Sequence, residues 1–249
     1  MNKHIDTAPV LEAFAAGGEC PLCALRDQTE AGYLEQFLGG SVMEPASRVL
    51  VNEKGFCARH FTQLYAAGNR LGLALMAHSH LKDTIQALDI RWRGKEKRSL
   101  FDRLTHKGGA SGVDARKLAA GHRHSCALCD RLDDTMERYV ETTVWLWRGD
   151  VKFRIKFNES LGFCVTHAQA LMDSTDDDEF RNALMNLEMH NLRRIEKELE
   201  WFTLKFDYRN FDKPWGTSKD ALPRSILKLS GVNPSGVAEP EALPDNDKA

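Results

Sequence analysis

No apolar run in this sequence is long enough to cross a bilayer. The longest, LGLALMA at 71–77, is far shorter than the roughly 20 residues a spanning helix needs. The N-terminal MNKHIDTAPVLEAFAAGGEC lacks an apolar run behind a basic start, so no secretory signal is expected there. Charge of one sign is also missing. A formal net charge of -2 over 249 residues predicts neither a strongly basic nucleic-acid binder nor an acidic tail-type protein. Strand-like alternation is scarce: KFRIKF at 152–157 is the one example, and it reads equally well as a turn of helix or a loop. None of the patterns GxSxG, GxxxxGK[ST], HExxH or GxGxxG occurs, so no enzyme class gains support. What remains is an ordinary globular composition, 42% apolar and 28% charged, with a cytoplasmic location as the default.

Cysteine is sparse, and its placement is informative. In a reducing compartment six cysteines do not suggest a disulfide framework. They fall at 20, 23, 57, 126, 129 and 164, and a shift of 106 or 107 positions carries the first three onto the last three. CPLCALRD at 20–27 answers CALCDRLD at 126–133, and KGFCARH at 54–60 answers LGFCVTH at 161–167. In each copy a Gly-Phe pair precedes the third cysteine and a histidine follows it by three. The chain therefore contains an internal duplication of the unit Cys-x2-Cys…Cys-x2-His, and every cysteine belongs to it.

Helical periodicity surrounds both copies. Leu25, Tyr33, Leu34, Phe37 and Leu38 form one stripe, ended by Gly39-Gly40; Leu132, Met136, Tyr139, Val140 and Val144 form its counterpart. Each GFCxxH is expected to open a helix, and a longer helix follows. In the first half that helix carries Leu71, Leu75, Leu81, Ile85, Leu88 and Trp92. In the second it carries Phe180, Leu184, Leu187, Ile195, Leu199, Phe202 and Phe206 behind an acidic N-terminus. The fold expected is mostly α, two pseudo-symmetric helical halves, each clamped by a Cys3His metal site. The segments are a first helical repeat at 1–90, a basic and Gly/Ser-containing linker at 91–125 and a second repeat at 126–207. A C-terminal aromatic clasp at 208–230 and a disordered tail at 231–249 follow.

Three thiolates and an imidazole form a familiar tetrahedral set for zinc. The ligands are Cys20, Cys23, Cys57 and His60 in one copy and Cys126, Cys129, Cys164 and His167 in the other. Exchange, with the CxxC of one half meeting the CxxH of the other, stays open at this point. A helix N-terminus favours the thiolate forms of Cys57 and Cys164. Gly55 and Gly162 can supply unusual backbone angles, and Arg59 can offset the net charge of a closed site in the first copy. Two zinc ions per chain are the first expectation, and an iron–sulfur cluster is the alternative because Cys3His also holds iron. A redox relay of CxxC pairs leaves both histidines without a role. Four ligands per site suit a closed structural ion better than a catalytic one with an open position.

Other signals are weaker. His122 and His124 precede the second CxxC and read as loop residues. His78 and His190 read as surface or core-edge positions, and His4, His80 and His106 carry no pattern. The run RWRGKEKRSLFDRLTHK has seven Lys/Arg against two acids, but it reads as a solvated linker and nucleic acid is not expected as a partner. In KFDYRNFDKPWGTSKDALPRSILKLSG, Trp215 reads as the anchor of a clasp and ALPRSILKL as a closing helix. The competing reading is a recognition surface of Asp207, Tyr208, Arg209, Asp212 and Trp215.

The two CxxC…GFCxxH units followed by KFDYRN…DKPWG…ALPRSI resemble an uncharacterised bacterial family. Its members are often auto-labelled "ABC transporter substrate-binding protein". The resemblance runs from Cys20 to Gly231 and implies one architecture but no activity. The label sits badly with a sequence lacking a lipobox-like start and an alternating α/β pattern. The functional expectation is a zinc-binding, non-catalytic interaction or accessory protein, with another protein as partner and no membrane. The alternatives are an iron–sulfur or thiol-redox-responsive protein, a zinc-thiolate-dependent enzyme, and a nucleic-acid-binding protein.

Overall fold

Glycine, proline and acidic caps divide the chain into ten α-helices among the described residues, 3–93 and 126–234 of a computed structural model; no strand occurs among them. They are α1 (Lys3–Ala16), α2 (Pro21–Leu38), α3 (Pro45–Lys54), α4 (Ala58–Ala66), α5 (Arg70–Arg93), α6 (Ala127–Gly149), α7 (Val151–Glu159), α8 (Val165–Asp173), α9 (Asp178–Leu204) and α10 (Ala221–Ser230). Single 3-10 turns lie at Gly40–Val42, Tyr208–Asn210 and Gly216–Ser218. Among the described residues no helix is long and apolar enough to cross a membrane. Pro21 and Pro45 stand at the first position of their helices, where the missing N–H costs nothing. Asp150 caps α7 by accepting from the N–H of Lys152 at 2.8 Å and of Phe153 at 3.3 Å. That cap settles the ambiguous KFRIKF as helix. Its buried residues, Phe153 and Phe157, are four apart and share a helical face, whereas Ile155 between them is exposed.

The chain forms two compact units. One is continuous, Gln28–Thr135. The other joins Met1–Asp27 to Met136–Ala249. These divisions fall inside α2 and α6, whereas the repeat follows the sequence segments 1–90 and 126–207. The expected linker and tail lie, apart from 91–93 and 231–234, outside the described residues.

In the discontinuous unit the core is aromatic. Phe157 is fully buried, with ring centroids 5.6 Å from Phe180, 5.7 Å from Phe163, 6.2 Å from Phe14 and 6.5 Å from Trp147. α10 packs on α8 and α9. Ahead of it the buried Trp215 lies against Phe202 at 5.6 Å, and the Lys205 ammonium sits 5.1 Å from its ring. The same ammonium donates to the carbonyls of Asn210, Phe211 and Lys213. Of the five residues in the recognition-surface reading, Trp215 is inside, Tyr208 projects outward, and Asp207 is paired with Arg209 at 2.6 Å.

Among the described residues of the continuous unit the aromatic contacts are fewer, Phe37–Phe56 at 5.3 Å and Phe56–Phe61 at 5.5 Å, with the Arg131 guanidinium 4.9 Å above Phe37. Here α5 departs from its expected stripe. Leu71, Leu75, Leu81 and Ile85 are exposed, and Leu73, Met76 and Ala87 are buried instead. Its inner seam runs 73, 76, 80, 87, a heptad spacing. α5 is apolar on two sides, so its periodicity does not decide which side packs on α3 and α4. In α9 the expected stripe holds at Phe180, Leu184, Leu187 and Ile195, loosens at Leu199 and Phe202, and ends exposed at Phe206.

Phe157→Ala removes the centre of the aromatic core and is expected to cost about 3–5 kcal/mol. Urea denaturation followed by helical circular dichroism measures it, and a cost below about 1 kcal/mol would contradict this packing.

Candidate metal centres

Both cysteine motifs are placed by helix starts. Cys20 and Cys126 immediately precede α2 and α6, and Cys23 and Cys129 lie in the first turns. The N–H groups of Cys23 and Cys129 each point at the sulfur three residues back, 3.4 Å away. Cys57 and Cys164 are the N-cap residues of α4 and α8, and His60 and His167 follow within the first turn on the same face. The His167 N–H donates to Cys164 Sγ at 3.4 Å.

The eight predicted ligands assemble into two clusters, each of three sulfurs and one imidazole nitrogen, with ligand atoms all within 4.8 Å of one another. The clusters pair across the repeat. Cys20 and Cys23 meet Cys164 and His167, whereas Cys57 and His60 meet Cys126 and Cys129. Of the two pairings left open by spacing, the exchanged one is the one formed, and each compact unit encloses one cluster.

In the first cluster His167 Nδ1 lies 3.4 Å from Cys20 Sγ, 3.4 Å from Cys23 Sγ and 3.3 Å from Cys164 Sγ, and Cys23 and Cys164 sulfurs are 3.6 Å apart. In the second, His60 Nδ1 lies 3.3 Å from Cys57 Sγ, 3.2 Å from Cys126 Sγ and 3.4 Å from Cys129 Sγ, with Cys57 and Cys129 sulfurs 3.9 Å apart. These are the edges of two small tetrahedra.

Burial and close packing move the sulfurs of each cluster in opposite directions. Burial pushes the Cys20 thiol up to about 12, and hydrogen bonds to Cys164 and Cys20 push Cys23 up. Cys164 is the one sulfur of that cluster held low, through hydrogen bonds from Cys20 and Cys23. In the second cluster burial raises Cys129, while at Cys126 burial is outweighed by the contact to His60 and the value falls to about 6. Three thiolates at these distances repel one another, and a divalent cation among them removes that repulsion. Both clusters therefore suit a metal ion.

The loop before each third cysteine is built the same way twice. Gly55 and Gly162 have φ of +64° and +76°. A side chain from the following long helix lies over each: a Cβ on Gly55 would come within 2.6 Å of His80 Nε2, and one on Gly162 within 2.5 Å of Glu188 Oε1. His80 Nδ1 donates to the Asn52 carbonyl at 2.9 Å, and Glu188 accepts from the Phe163 N–H at 2.6 Å. Glycine is thus required for both backbone angle and space. Burial raises the Glu188 carboxyl to about 7 despite nearby Lys228. Phe56 and Phe163 root the loops in the two cores.

The surroundings of the two clusters differ. In the second, the Ala127 N–H donates to the Gly55 carbonyl at 2.9 Å. The residue at that position in the first copy is Pro21, which has no N–H. There the loop is held from α10: Lys228, 1% exposed, donates to the carbonyls of Leu161 and Phe163 and lies 3.7 Å from Glu19. Glu19 also pairs with Arg194 at 2.6 Å and Arg224 at 3.4 Å. Gly231, which ends α10, brings its carbonyl within 3.6 Å of Cys23 Sγ. In the second cluster His60 Nε2 hydrogen-bonds Glu30 Oε1 at 2.7 Å, and Arg59 pairs with the same carboxylate. Arg59 thus reaches the expected site through Glu30. Glu30, His80, Glu188 and Lys228 are absent from any local motif. His78 and His190 are exposed, as expected for surface positions, and His106, His122 and His124 lie outside the described residues.

A chain that is helical throughout its described residues and carries two Cys3His clusters at helix starts defines a class of helical protein with paired candidate metal centres. The chain belongs to the family described as "Family of unknown function (DUF6062)", which it matches over residues 1–236. No curated protein and no solved structure matches it.

Gly162→Ala is expected to destabilise the protein by about 2 kcal/mol or more, because both the left-handed angle and the contact with Glu188 resist a methyl group. Gly149→Ala, where a Cβ meets open space, serves as the control and is expected to be neutral or stabilising by up to about 1 kcal/mol. Thermal melts of the two variants side by side measure the difference.

Proposed function

We propose that this protein is a zinc-binding, non-catalytic scaffold whose two closed Cys3His sites set a helical surface for another protein to bind. The observation that carries the reading is the pair of complete ligand sets. A regular tetrahedron with zinc–sulfur bonds of ~2.3 Å and a zinc–nitrogen bond of ~2.05 Å has sulfur–sulfur edges of about 3.8 Å and sulfur–nitrogen edges of about 3.6 Å. The 3.6 and 3.9 Å sulfur separations and 3.2–3.4 Å sulfur–nitrogen separations here match that size to a few tenths of an ångström. With four protein ligands filling the shell, no coordination position is left for substrate, which favours a structural ion. Glu30 on His60 Nε2 fixes the tautomer that presents Nδ1 to the metal. Exposed Leu71, Leu75 and Ile85 on α5, and Phe206 and Tyr208 after α9, are the apolar side chains that support a partner-binding role.

Protein purified without oxygen is expected to contain two zinc per chain by elemental analysis. Iron with visible absorption would overturn the zinc assignment. The exchanged pairing has its own signature. Cys20→Ala with Cys164→Ala is expected to remove one ion, because both belong to one cluster. Cys20→Ala with Cys57→Ala is expected to remove both; the opposite pattern would mean pairing within each repeat. Glu30→Ala is expected to weaken zinc retention at the second site about 10–100-fold, leaving the first unchanged, as read by competition with a chromophoric chelator.

A further inference from the structure

The two clusters are chemically alike but unequally protected. In the first, Cys20 is 4% exposed, Cys23 3% and Cys164 0%, and His167 is also buried. A groove of about 480 Å³ touches Cys20 and Cys23, between the Gly17–Gly18 turn and the Pro223–Arg224 edge of α10. The low exposures show that it reaches only the edge of the sulfurs. On the other side Lys228 grips the carbonyls around Gly162, and Gly231 packs so close that a Cβ added to it would come within 3.3 Å of Cys164 Sγ. The first cluster is sealed by the C-terminal helix.

The second cluster has no equivalent of α10 among the described residues. Cys126 and His60 are buried, but Cys57 and Cys129 are only partly so. These two partly exposed cysteines are also neighbours, their sulfurs 3.9 Å apart. Cys57 is the N-cap of α4 and Cys129 lies in the first turn of α6, so a bond between them would tie two helix starts already in place. A disulfide needs the sulfurs at ~2.05 Å, a closure of under about 2 Å from their present separation.

We infer that the second cluster is a hydroperoxide-responsive zinc site, in which Cys57 and Cys129 form a disulfide and release the ion, while the first cluster holds its zinc as a permanent clamp. The inference rests on the zinc reading above and assigns the redox response to one site. One thiolate attacks the O–O bond of the hydroperoxide. The bond breaks, an alcohol (or water) leaves, and a sulfenic acid remains on the sulfur. The second thiolate attacks that sulfur and displaces the oxygen as water. Two thiolates, one hydroperoxide and two protons thus yield one disulfide, one alcohol and one water; the two sulfurs are oxidised and the peroxide is reduced. Only Cys126 and His60 then remain as ligands, too few to hold the ion. Susceptibility to this chemistry follows thiolate character and exposure; with zinc bound every sulfur is a thiolate, so the difference in exposure between the cysteines separates the clusters.

The test uses the full zinc-loaded chain. Hydrogen peroxide is titrated while a chromophoric chelator reports zinc and peptide mass spectrometry maps the disulfides. One zinc is expected to leave at least about tenfold faster than the other, with the Cys57–Cys129 disulfide appearing in step and thioredoxin-type reduction with added zinc restoring the site. Loss of both ions at one rate, or oxidation of Cys20, Cys23 or Cys164 first, overturns the inference and leaves the zinc reading intact. A chain that purifies with no zinc overturns both. Lys228→Met loosens the seal on the first cluster and is expected to bring its zinc release closer to that of the second. An unchanged ratio in that variant, with the fold retained by circular dichroism, would mean that the C-terminal helix is not what protects the first site.

Discussion

Everything in this fold is arranged around one electrostatic problem: three sulfurs held within a few ångströms of each other and of an imidazole, away from water. Thiols are compatible with burial and thiolates are not, unless a cation sits among them. Each helix start in the two clusters supplies part of the solution. The N-terminal dipole of α8 and the His167 N–H favour negative charge on Cys164, and the N–H groups of Cys23 and Cys129 turn toward sulfur. The aromatic cores then fix the loops through Phe56 and Phe163, so the ligands arrive with little freedom left to lose.

Duplication gave two copies of this arrangement, and their differences follow from single residues. A proline at 21, where the other copy has Ala127, removes a backbone donor to the opposing loop. A buried lysine from a helix outside the repeat takes over the role of gripping that loop. A glutamate over Gly162 stands where a histidine lies over Gly55. Burying Lys228 and Glu188 is costly for each charge alone. Desolvation lowers the lysine's pKa and raises the glutamate's; their attraction to each other limits both effects, and Glu19 supports the lysine while pushing the Glu188 carboxyl further up. The result is a first cluster with a third layer of support and a second with a simpler carboxylate–histidine contact from Glu30.

Much of the ligand chemistry was legible in the sequence because the repeat marks it: two spacings that differ by one residue used every cysteine, and a histidine stood at the same offset in both. Pairing was not legible, because local spacing is the same whether a CxxC closes on its own half or on the other. For the same reason Glu30 was invisible; it belongs by sequence to the first CxxC helix and by contact to the second cluster. The stripe on α9 could be read because its large apolar residues Phe180, Leu184, Leu187 and Ile195 recur on one face, and that face is the buried one. On α5 apolar residues lie on two sides, and periodicity cannot say which side a short neighbour will cover. The alternation in KFRIKF was ambiguous for a related reason: a helix with aromatics four apart and an isoleucine between them looks strand-like until the cap at Asp150 is recognised.

The exchange of ligands also orders events in time. The second cluster is complete once the chain has reached Cys129, since its sulfurs at 57 and 129 are 72 positions apart. The first needs Cys164 and His167, with Cys23 and Cys164 separated by 141 positions, and its covering helix ends only at Ser230. In loop-closure entropy the doubling matters little, about 0.6 kcal/mol. On a ribosome it matters more: at roughly 5–20 residues per second, the N-terminal CxxC must wait, with its thiols unpaired, while the whole continuous unit is made. The first CxxC thus finds its partners only after the continuous unit has been made.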